Sequence, residues 1–201
     1  MADAARTGAP RPRDFDLARI DATLAAAHPA SRFDLVRPVE PALVIECIAE
    51  AVETTIVGRP ERWRWVVVDD PDARAALAVL HQRGEPDELD SIVASAPVLV
   101  LACQIGRPEP ASEQHELSTF YGDVVPVIAA FTLVARRRGL ATVWTTRHLA
   151  LEAEAAQLLG IPRNVTQIAL IPIAFRAEDV DTKSNAVPFD ARTVFANRWS
   201  A

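Results

Sequence analysis

The stretch that decides the fold runs from Gly139 to Phe175, GLATVWTTRHLALEAEAAQLLGIPRNVTQIALIPIAF. Leu140 to Thr145 is rich in strand formers. Leu149 to Leu159 then shows helical spacing, and Gly160 with Pro162 ends it. Thr166 to Phe175 is a second, longer strand. Strand, helix and strand thus follow one another with sharp punctuation, which points to a sheet covered by helices.

The neighbouring segments extend this pattern. Asp123 is expected to cap a helix with Pro126 in its first turn and Val127, Ile128, Phe131, Val134 and Ala135 on its apolar face. Arg136, Arg137 and Arg138 fill its last turn, where cations complement the helix dipole, and Gly139 follows as the residue beyond the end. Pro97 to Cys103 is continuously apolar and suits a strand buried on both faces. Trp63 to Val68 reads as a strand stopped by Asp69-Asp70-Pro71, and Asp72 to Arg83 as a helix. Pro38 and Pro41 open another helix, whose face carries Leu43, Val44, Cys47, Ile48, Ala51 and Val52. Asp14 can cap a first helix bearing Leu17, Ile20 and Leu24, ended by Pro29.

Residues 1–13 are small, basic and broken by proline, as in a flexible arm. Residues 14–201 are expected to form a single domain. From Arg176 onward the chain is irregular, and its aromatics Phe195 and Trp199 require cover. This tail, 176–201, packs either on its own domain or on a partner subunit.

Composition sets further bounds. The 201 residues are 50% hydrophobic and 24% charged, with a net charge of −6. That balance is globular and argues against a nucleic-acid binder, which carries a basic field. No apolar run reaches the length of a membrane span, the near-apolar segment Val124 to Ala135 being the longest. The N-terminus lacks the order of a signal peptide. Cys47 and Cys103 are far apart in apolar surroundings and read as reduced core thiols, so a cytoplasmic location is expected. His28, His81 and His115 show no metal-ligand spacing and read as surface histidines.

Three blocks, Arg32 to Val52, Arg62 to Ala78 and Gly139 to Phe175, together with Phe195 to Trp199, resemble the nitroreductase-like flavoprotein family in order and spacing. The resemblance implies an α+β fold with a central, mostly antiparallel sheet flanked by helices, assembled as an intertwined homodimer. It implies FMN in a groove between subunits, NADH or NADPH as reductant, and a small oxidised organic substrate as electron acceptor. It assigns cofactor contacts to Arg32, Gly58, Arg59, Glu61, Trp144, Thr145, Thr146, Arg147 and Lys183. The turn at Trp144 to Thr146 would offer backbone N–H groups to the flavin ring. No catalytic acid–base pair, nucleophile or metal ligand is required or found.

The chain also departs from the family pattern. Where the family places an arginine-rich phosphate clasp, this chain has Ala27, His28, Pro29 and Ala30, with Arg32 remaining. Arg59 stands where the family has Asn, and Glu61 where it has Gln. Lys183 is the sole cation between Asp181 and Pro188. Losing two or three charge-assisted hydrogen bonds would cost about 3–9 kcal/mol of binding. The alternative is therefore a non-catalytic family member that has lost tight FMN binding and serves as a ligand-binding or partner subunit. A heterodimer with a paralogue also stays open.

Each residue has a plainer reading. Arg32 could pair with Asp34, and Arg59 with Glu61 on a surface loop. Trp144 could be core, Thr146 could cap the next helix, and Arg147 with His148 could be a solvated helix start. Trp63 and Trp65 share a strand face, with core packing expected for at least one. Packing is also the expectation for Tyr121.

Overall fold

The computed structural model describes residues 33–82, 88–177 and 193–195. The arm at 1–13, the helix expected from Asp14, Arg32, His28, Lys183, Trp199 and most of the tail lie outside these residues.

The central strand is β3, Val98–Ile105, and its side chains are buried almost throughout. It lies antiparallel to β2, Trp63–Val68, on one edge and to β5, Val165–Arg176, on the other. β5 is the longest strand and serves several partners. Ile173 faces Val98 on one side and Thr142 of β4, Leu140–Thr142, on the other. Phe175 is likewise flanked by Leu140 and by Asp34 of β1, Phe33–Asp34. The five strands form one antiparallel sheet, and the fold is α+β.

Two helical layers bury the two faces, as the period of 2 in the strands demands. Val98, Val100 and Ala102 point to the face covered by α1, Pro41–Thr54, and by α4, Gln114–Arg137. Leu99, Leu101 and Cys103 point to the opposite face, under α2, Pro71–His81, α3, Glu88–Ser95, and α5, Glu152–Leu159. A bulge between Ala102 and Cys103 skips Ile168 on β5, which places Ile168 and Ala169 in the same core cluster.

The structure corrects several sequence expectations. α4 begins at Gln114, so Asp123 and Pro126 lie inside it. Glu116 accepts a hydrogen bond from the Glu113 N–H at 2.9 Å and starts the helix there. Pro126 is tolerated because the carbonyl it leaves without an N–H donor belongs to the exposed Gly122. α4 is also long and apolar enough to cross a membrane by length and composition. Its residues Val124, Val127, Ile128 and Phe131 are instead buried against the sheet. α3 has no counterpart in the sequence reading. The strand expected over Leu140 to Thr145 ends at Thr142, and the following helix divides into a 3-10 turn, Arg147–Leu151, and α5.

Other expectations hold. Trp63 is buried, and Trp65 packs on Phe131 with ring centroids 5.5 Å apart. Gly139 and Gly160 take positive φ at helix ends. Arg137 and Arg138 do more than complement the end of α4, because they bind Glu46 and Glu50 and tie it to α1.

Candidate functional site

Two segments nominated by sequence, the loop around Gly58 to Glu61 and the turn from Trp144 to Arg147, are each fixed by a buried polar group.

The first is fixed by Asp123. This carboxylate is 6% exposed in the middle of α4. It accepts the backbone N–H of Arg59 and, at 3.2 Å, the Arg59 Nε. Arg59 therefore pairs with Asp123 and not with Glu61, which lies exposed in the short 3-10 turn Pro60–Arg62. The Arg59 side chain stays half exposed, and its terminal nitrogens have no partner among the described residues. Gly58 has φ of 96°, and a Cβ there would stand 2.4 Å from the Asp123 carbonyl oxygen. Only glycine allows the loop to lie this close to the helix. Arg62 completes the anchoring, donating to the Ile105 carbonyl at 3.0 and 2.7 Å.

The second segment is fixed by His81. Far from being a surface histidine, His81 is fully buried at the end of α2. Its Nδ1 lies 2.9 Å from Asp90 of α3, and its Nε2 lies 3.0 Å from the Thr145 hydroxyl. The Thr145 hydroxyl also accepts the Arg147 N–H at 3.3 Å. Thr145 exchanges backbone hydrogen bonds with Leu170 of β5, both at 2.9 Å. Thr145 thus faces inward with its polar atoms engaged inside the protein. Trp144 and Thr146 are exposed on either side of it, and their N–H groups have no partner among the described residues.

Three further expectations are revised here. Trp144 is 45% exposed and is not core. Thr146 stands at the start of the 3-10 turn without capping it; the bonding hydroxyl is that of Thr145. Arg147 is no solvated helix start, because its Nη1 reaches Asp90 at 3.2 Å. His148 is also fully buried, and neither ring nitrogen has a partner among the described residues. Burial and the neighbouring His81 push its pKa down to about 4, against a smaller opposing pull from Glu152. Glu152 is itself held below the usual carboxylate range by its paired bond to Arg107 and by the Gln167 N–H. Tyr121 packs edge-on against Phe120 and remains partly exposed.

Sequence reasoning missed His81, Asp123 and His148 as buried groups, and the partly buried Asp90 as the partner of His81. For two of them a signal existed. His81 continues the Leu77–Ala78 stripe of α2, and Asp123 lies beside Phe120, Val124 and Val127 on the buried stripe of α4. Among the described residues no group of side chains could hold a metal ion.

A family model for the nitroreductase family matches residues 33–174, a span that takes in the sheet except the last two residues of β5, both layers and both fixed segments. The chain belongs to the nitroreductase family. Solved structures share the family fold at low identity. One is the NADPH:FMN oxidoreductase from Vibrio harveyi complexed with NAD+, with 18% identity, TM-score 0.71, and coverage of 91% of this chain and 79% of that one. Another is an FMN-dependent nitroreductase from Clostridium difficile R20291, with 16% identity, TM-score 0.66, and coverage of 88% and 98%. A third is nitroreductase A from Vibrio parahaemolyticus RIMD 2210633, with 15% identity, TM-score 0.70, and coverage of 91% and 77%. No curated protein sequence matches, so the likeness rests on the family pattern and the fold.

Proposed function

We propose that this nitroreductase-family chain is an FMN-dependent oxidoreductase that takes reducing equivalents from NADH or NADPH and delivers them to a small oxidised organic substrate. The observation that carries this reading is the turn at the edge of β5. With Thr145 fastened inward, the N–H groups of the exposed residues Trp144 and Thr146 have no partner among the described residues. Such donors suit the acceptor atoms of a flavin ring, and backbone donors do not depend on side-chain identity. The Vibrio harveyi and Clostridium difficile proteins of the same fold are an FMN oxidoreductase and an FMN-dependent nitroreductase.

The described residues fit the ring end of FMN. Trp144 and Thr146 would hold the ring through their N–H groups, and the terminal nitrogens of Arg59 would meet an acceptor or anion. Arg32 and Lys183 are proposed for the phosphate on the resemblance alone. When bound, the flavin supplies the hydride chemistry. The protein's own part is to orient the ring, to keep Arg59 in place through Asp123, and to bring a second copy against the groove. The homodimer belongs to this proposal, supported by the large apolar side chains left exposed, Ile56 at 97% and Trp144 at 45%. Action in the cytoplasm is proposed with it, in keeping with the free thiols of Cys47 and Cys103.

A second reading has its own support. Arg59 and Arg147, two of the cations nominated for the cofactor, are each paired with a carboxylate, Asp123 and Asp90. A chain in which these pairs are permanent would be a family member without tight flavin binding, acting as a ligand-binding or partner subunit. The visible spectrum of the purified protein, followed by FMN titration, decides between the two. A flavin band or saturable micromolar binding supports the reductase. A colourless protein that FMN does not titrate supports the second reading.

A further inference from the structure

We propose that His81 is a positioning residue for the turn that carries Trp144 and Thr146, acting through the hydroxyl of Thr145. This rests on the reading of that turn as the ring-binding edge.

A fully buried imidazole is costly unless its nitrogens are bonded. His81 is 0% exposed and meets that requirement with two partners from distant segments. The Asp90 carboxylate only accepts, so the ring proton sits on Nδ1 and donates to it. In the neutral ring Nε2 is then left to accept the proton of the Thr145 hydroxyl. That hydroxyl has lone pairs to spare, and one accepts the Arg147 N–H. The result is a directed chain running from the Arg147 amide through Thr145 and His81 to Asp90. Arg147 closes the circuit by binding Asp90 with its guanidinium.

Together with the two backbone bonds to Leu170, the chain holds every polar atom of Thr145. It therefore sets the two peptide planes that flank Thr145: the second carries the Thr146 N–H, and the first adjoins Trp144, whose own N–H lies one peptide further back. A binding constellation needs its donors held within about 0.5 Å.

Hydroxyl, imidazole and carboxylate in series also suggest a nucleophile with its base. The surroundings exclude that role. Thr145 is 6% exposed, and one of the two lone pairs of its oxygen is taken by the Arg147 N–H. Its burial among the described residues keeps the oxygen from an electrophile.

The test uses the full chain and three variants, Thr145→Val, Thr145→Ser and His81→Ala. Amide hydrogen exchange across 143–147, FMN titration and thermal unfolding are measured for each. Thr145→Val removes one hydroxyl and is expected to speed exchange at the turn by about tenfold or more, while α1 and α4 keep their protection. FMN binding should weaken by about tenfold, and Thr145→Ser should restore both to within about twofold of the parent. Should His81→Ala fail to fold, Thr145→Val carries the test alone. Unchanged exchange at the turn, or a loss of protection spread evenly over the sheet and helices, overturns the proposal. If the parent protein binds no FMN, the reductase reading fails, and the exchange data still decide whether His81 positions the turn.

Discussion

Arg59 donates through Nε to the carboxylate of Asp123 at 3.2 Å, across 64 residues of chain. The same carboxylate takes the Arg59 backbone N–H, so one buried acid fixes both the path of the loop and the direction of its cation. Asp123→Ala removes the acceptor for both donors. It is expected to destabilise the protein by roughly 2–4 kcal/mol in denaturant unfolding. Arg59→Ala should cost only about 1 kcal/mol, since that side chain is half exposed and screened by water. Equal losses for the two variants would contradict this division of roles.

Gly58 and Asp123 make a second, steric relationship. Alanine at position 58 would have to hold φ near 96° and accept a Cβ 2.4 Å from both a backbone oxygen and the ring of Trp63. Gly58→Ala is expected to lower stability by about 1–3 kcal/mol. It should also alter the fluorescence of the buried Trp63. A melting temperature equal to the parent's would mean that the loop does not lie against α4.

His148 makes stability depend on pH. Its folded pKa of about 4 lies below the ordinary 6.5, so the native state binds fewer protons than the unfolded state between these values. Stability from this group is complete above pH 6.5 and is lost progressively as pH falls towards 4. The full shift amounts to about 3 kcal/mol. His148→Gln should flatten the stability profile over that window. A profile identical to that of the parent would remove His148 as the cause.

The thiols offer a fourth check. Burial, with a smaller contribution from Glu152, pushes the Cys103 pKa up to about 12, and burial also raises that of Cys47. Neither supplies thiolate at neutral pH. A chromogenic disulfide reagent at pH 8 is expected to find no reactive thiol in the native protein and two after unfolding. Rapid reaction of one thiol in the native state would show that its helix or strand opens readily.

The order of strands and most helices was legible because each is written locally. β3 holds an unbroken apolar run from Val98 to Cys103, β2 ends at Asp69-Asp70-Pro71, and α5 ends at Gly160 with φ of 66°. α4 was misread at its start because Asp123 followed by Pro126 has the local form of a helix N-terminus. Asp123 is tolerated inside the helix because Arg59, distant in sequence, neutralises it. α3 escaped notice because its eight residues span barely two turns, too few for the helical period to stand out.

What the sequence determined by itself was most of the elements and their alternation, through hydrophobic period and through glycine and proline punctuation, while the α+β class came from the family resemblance. Those elements depend on interactions within a few residues of chain. The tertiary structure alone decided which polar residues are buried and with whom. Arg59 left Glu61 for Asp123, His81 left the surface for Asp90 and Thr145, and Thr145 turned inward while Trp144 turned out. A buried charge or imidazole is tolerable only when another segment supplies its partner, and that segment becomes a neighbour only once the sheet and its two helical layers have assembled.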